Sequence, residues 1–135
     1  MTKFHRIVTV AFGAAVFGVP ALATAGEFAP VSMPAFQAAI AAHRPVVFYV
    51  RTRDGMLCTA QHKVLEQLMA EPAFKDYLVL EVDFTGNPQT VKMLGAVMPA
   101  TIIFDRDRDG IDIGRVQGVT DEPSIRALLA KTTKG

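Results

Sequence analysis

Val46-Val-Phe-Tyr-Val50 is the stretch that most restricts what this chain can become. Five consecutive apolar residues, mostly β-branched or aromatic, read as a strand covered on both faces, and such strands lie inside parallel sheets. The strand runs into a polar turn, Arg51-Thr-Arg-Asp-Gly55, and then into an amphipathic segment from about Leu57 to Met69. The spacing puts Leu57, Ala60, Val64, Leu65 and Leu68 on a buried stripe and leaves Gln61, Lys63, Glu66 and Gln67 on the wet side. Leu78 to Asp83 is the next apolar run, so the two strands and the helix between them form a right-handed βαβ unit.

The flanking chain reads in the same way. Gly26 to Val31 is a loose leader, and Ser32 caps a helix running to about His43 with Pro34 in its first turn. Glu71-Pro72-Ala73-Phe74 makes a short extra turn. Asn87 and Pro88 start a helix that ends near Gly95. Ala100 to Phe104 and Ile111 to Val116 are strands joined by the charged turn Asp105–Gly110, short enough for an antiparallel hairpin. Thr120 or Asp121 caps a last helix with Ile125, Leu128 and Leu129 inward. The expected fold class is α/β, a central mixed four-stranded sheet flanked by helices in the order α-β-α-β-α-β-β-α.

Residues 1–25 stand apart. Lys3, His5 and Arg6 precede an apolar run from Ile7 to Val19, and Ala21-Leu-Ala-Thr-Ala25 offers the small residues a signal peptidase reads. The expectation is a cleaved signal peptide followed by one domain over residues 26–135, in the periplasm or outside the cell. Lys3 and Arg6 are two of the 14 cationic residues, so 12 remain in that domain against 13 acidic ones. A balance this close to neutral argues against nucleic acid or an anionic membrane as a partner.

Cys58 is the one cysteine of the chain, so no internal disulfide forms. It falls where the second helix begins, a position that stabilises a thiolate; the competing reading is a small buried hydrophobe. His62 follows one helical turn later on the same face and, as imidazolium, would support that thiolate. Asp105-Arg-Asp-Arg-Asp-Gly110 has the look of a calcium loop, but the twelfth position is Val116 rather than a bidentate Glu, and strands flank it.

Several local stretches make the chain resemble the thioredoxin-like superfamily. Val46-Val-Phe-Tyr49, the turn, Cys58 and a helix ending Val-Leu-Glu-Gln-Leu68 resemble the family's active-site strand and helix. Met98-Pro99-Ala-Thr-Ile-Ile-Phe104 resembles its cis-proline segment. Glu71-Pro-Ala-Phe74, Val82-Asp-Phe84 and Gly114-Arg-Val-Gln-Gly118 resemble the C-terminal thioredoxin-like domain of DsbD-type periplasmic carriers, and the likeness spans residues 30–131. The family works through Cys-x-x-Cys, in which one thiolate attacks a disulfide and the second thiol resolves the product. Here the motif is degenerate, Gly55-Met56-Leu57-Cys58, with Asp54 in place of the usual Trp and Val47 in place of the buried acid.

The resemblance therefore implies a role in thiol–disulfide metabolism without a two-cysteine cycle. Either Cys58 is a one-cysteine exchange partner, or the chain is a redox-inactive binding module. Gly55, Met56, Met98 and Pro99 would shape a groove for a protein or a cysteine-containing peptide, and no cofactor is implied. The alternative is Cu(I) binding or delivery, with Cys58, His62 and the thioethers of Met56 and Met98 as soft donors.

Overall fold

The computed structural model describes residues 25–132, so the signal-peptide expectation for residues 1–25 lies almost wholly outside the described residues. The described chain is a five-stranded sheet between two helical layers. Its strands are β1 (Glu27–Pro30), β2 (Val46–Arg51), β3 (Leu78–Asp83), β4 (Thr101–Arg106) and β5 (Gly114–Gln117). The helices are α1 (Met33–Ala41), α2 (Met56–Met69), α3 (Pro88–Leu94) and α4 (Glu122–Ala130), with a 3-10 turn at Pro72–Phe74. In the sheet order β1-β3-β2-β4-β5, β3 is parallel to both β1 and β2, while β4 is antiparallel to β2 and to β5. Among the described residues no helix is long and apolar enough to cross a membrane.

The expected α/β class and element order hold, and the strand count is corrected from four to five. Residues read as a loose leader form β1, whose Glu27 to Pro30 pair with Leu78 to Glu81 of β3. Proline is tolerated there because an edge strand needs only one of its sides paired.

Local signals set the helix ends. Ser32 Oγ accepts from Ala35 N at 3.2 Å and Asp121 carboxylate accepts from Ser124 N at 3.0 Å, so both helices start where a side chain satisfies a free N–H. α1 stops when His43 takes φ 54°, its N–H bonding Ile40 O while Arg44 N bonds Ala39 O. The β4–β5 connection is longer than expected, and β5 begins at Gly114 rather than Ile111. Asp107 Oδ1 accepts from the N–H groups of Asp109 and Ile111, which holds the turn as a loop instead of letting the ladder continue.

Alternation along the strands divides the core. Val47, Tyr49, Val79, Ile102 and Phe104 face α2 and α4, where Leu65, Leu68, Ile125 and Leu129 cover them. Val46, Phe48, Val50, Leu80 and Val82 face the other layer under Ala39 and Val91. A leucine buried this fully contributes about 1.5–3 kcal/mol. These two layers fix the C-terminal end of β2 and the start of α2 side by side.

Candidate functional site

Cys58 lies in the first turn of α2, three residues after the N-cap Gly55. Gly55 has an extended backbone (φ −78°, ψ 129°) and no side chain with which to cap, so the first N–H groups of the helix are left to solvent or a ligand. Thr59 returns both its N–H and its hydroxyl to Gly55 O, at 2.9 and 3.1 Å, which fixes the entry angle of the helix. Cys58 is buried, 4% exposed. Thr52 Oγ1 lies 3.9 Å from its sulfur.

Beside the thiol is a cavity of about 250 Å³ lined by Tyr49, Arg51, Thr52, Arg53, Cys58, Thr59 and His62. Tyr49 anchors its floor by donating its hydroxyl to Cys58 O at 2.5 Å, and burial pushes that phenol far above its ordinary pKa, so it remains a donor. A hollow of about 610 Å³ at the other end of β2 is larger, but Arg44 there pairs with Glu27 and Arg108 with Asp76, and it holds no thiol.

His62 is in the same cavity wall but does not hydrogen-bond Cys58. Its Nε2 lies 2.9 Å from Glu66 and its Nδ1 3.7 Å from Glu81, and its ring stacks on Tyr49 and tilts against Phe28. The expected thiolate–imidazolium pair is therefore replaced by a carboxylate–imidazole cluster that also takes in Arg51, 3.0 Å from Glu81. Val47, at the place of the family's acid, is buried among apolar side chains. Glu81, on the neighbouring strand opposite Tyr49, is the carboxylate that lies by both His62 and Arg51. A single charge inside Leu78-Val-Leu-Glu-Val82 was its sequence signal.

The proline segment needs a correction. No peptide bond among the described residues is cis, so Met98–Pro99 is trans. The bend into β4 is taken instead by Ala100, which adopts φ 61°, a left-handed conformation rare outside glycine. Thr101 Oγ1 donates to Met98 O at 2.8 Å and Gly118 N to Ala100 O at 2.8 Å, which holds the bend. Met98 turns its methyl toward Gly118.

The helix face is also corrected. The buried stripe of α2 is Cys58, Gln61, Leu65, Leu68 and Met69, whereas Leu57 and Ala60 are exposed and Met56 is 88% exposed. Within the first turn Cys58 faces the core, and Met56 and Leu57 face outward. Gln61, expected on the wet side, is fully buried and donates Nε2 to both Ala100 O and Val119 O at 2.8 Å. Among the described residues no group of three or more His, Cys, Asp or Glu is placed to hold a metal. His62, one of the soft donors considered for Cu(I), is turned to Glu66 and Glu81.

No protein-family model matches the chain, and no curated protein matches it. Solved structures do. The chain is similar to Trxlp of Edwardsiella tarda EIB202, with a TM-score of 0.72 and 26% identity over 78% of this chain and 100% of that one. It is similar to the short form of thioredoxin F from spinach chloroplast, with a TM-score of 0.62 and 24% identity over 79% and 95% of the two chains. Thioredoxin from Trypanosoma brucei brucei gives 0.62 and 18% over 82% and 92%. The fold is thioredoxin-like.

Proposed function

We propose that this protein takes part in thiol–disulfide metabolism as a one-cysteine exchange partner acting through Cys58. The observation that carries the reading is the seat of that thiol: the first turn of a helix without a side-chain cap, at the wall of a cavity that also holds Arg51 and Arg53. As a thiolate, Cys58 would sit at the start of a helix, by free N–H groups and the positive end of the helix dipole. That thiolate attacks one sulfur of a partner's disulfide, the new S–S bond forms, and the partner's other sulfur leaves as a thiolate. A thiol from another molecule then attacks the mixed disulfide and returns Cys58 to its reduced form. Cys58 ends each cycle as it began, so the chain passes disulfide bonds on without a resolving cysteine of its own.

The partner is a protein or cysteine-containing peptide. Met56 and Leu57 are exposed at the start of α2, and Val97 is exposed in the loop that continues into Met98 and Pro99, so apolar side chains are open to it on both segments. The DsbD-type sequence likeness and the signal-like residues 1–25 support a periplasmic or secreted setting, where such disulfides persist.

A second reading rests on the 4% exposure of Cys58: a redox-inactive docking module that keeps the groove and has lost the chemistry. Iodoacetamide labelling of the folded protein, with Cys58→Ser as the blank, separates the two. Labelling of the native protein supports the exchange partner. Labelling that appears only in denaturant removes it and leaves the docking module.

A further inference from the structure

Gln61 is sealed from solvent one turn beyond Cys58, on the same face of α2 as Leu65 and Leu68. Its Nε2 holds two carbonyls, Ala100 O and Val119 O, that belong to different loops. Its Oε1 is buried with no partner. An orphaned acceptor is a standing cost, set against the two carbonyls that the same amide satisfies.

What the amide does is geometric. Ala100 follows Pro99 and carries the left-handed bend into β4; Val119 follows Gly118, which is itself left-handed at φ 64° and donates to the same Ala100 carbonyl. One side chain on the thiol-bearing helix thus ties down both loops beside the proposed peptide groove. We propose that Gln61 is a positioning residue that sets the Pro99 loop relative to Cys58 for an extended, disulfide-containing peptide. This inference rests on the exchange reading above.

The test compares wild type with Gln61→Leu, and with Gln61→Met as a second variant that keeps the chain length should leucine fold poorly. Two rates are measured on each: mixed-disulfide formation by Cys58 with a synthetic peptide dimer joined through a single cystine, and alkylation of Cys58 by iodoacetamide. Loss of the loop anchor lowers the peptide rate roughly tenfold or more, since small misplacements are amplified in oriented reactions, and leaves the iodoacetamide rate unchanged. Amide exchange at Gly118 speeds up in the same variants. Equal effects on both rates, or no effect on the peptide rate, overturn the assignment. A wild type that never forms the mixed disulfide sinks the exchange reading and this one together, whereas a reactive wild type matched by its variants sinks this one alone.

Discussion

Gly55 and Cys58 are spaced like two halves of a disulfide: a Cβ on Gly55 would lie 3.6 Å from the Cβ of Cys58 and 3.3 Å from its sulfur. Bridged cysteines have Cβ atoms about 3.5–4.5 Å apart. The extended backbone of Gly55 accepts any side chain, and the one tight neighbour besides Cys58 itself, Thr52 Oγ1 at 3.0 Å, is the movable tip of a side chain. Gly55→Cys is therefore expected to close a disulfide with Cys58 under mild oxidation. Thiol titration reads the result; two free thiols after oxidation would show that the turn does not hold the geometry described.

Tyr49 and Tyr77 form a matched pair of controls. Each is buried and donates its hydroxyl to a backbone carbonyl at 2.5 Å, Tyr49 to Cys58 and Tyr77 to Leu129. Removing either hydroxyl costs about 1 kcal/mol in a urea unfolding curve. Only Tyr49→Phe frees the first turn of α2, so only it accelerates iodoacetamide labelling of Cys58. Equal labelling in the two variants would separate Tyr49 from the site.

Asp105 titrates against the fold. Burial, then the neighbouring Asp112, raises its carboxyl pKa, so the folded state favours the protonated acid. A raised carboxyl contributes stability below its unfolded pKa of about 3.9, and that contribution is lost as pH rises through the folded value. Asp105→Asn is expected to raise the urea midpoint at pH 7 and to lose that advantage as the pH falls toward 4. A gain that grows on acidification contradicts the assignment.

Much of this architecture was legible because its signals are local. The run Val46–Val50 needs cover on both faces, Ser32 and Asp121 supply caps, and Pro88 and Gly95 bracket α3, the glycine at φ 65°. β1 was not legible: four residues with a terminal proline carry no strand pattern until β3 lends its edge. The buried stripe of α2 lies one position beyond the one Leu57 and Ala60 suggest, because apolar Leu57 faces outward while Cys58 and Gln61 face the core.

The site divides in the same way. Cys58 and Gly55 could be placed by counting from a helix start. Gln61 could not, because the groups that give it meaning come from afar; Ala100 is 39 residues away. Its polarity, read alone, points to solvent.

Mass spectrometry of the folded wild-type protein incubated with a cystine-linked peptide dimer bears most directly on the proposed chemistry. The expected product is a covalent adduct of one protein and one peptide half, reversed by dithiothreitol and absent in Cys58→Ser. No adduct until the protein is unfolded, or an adduct that survives Cys58→Ser, would contradict it.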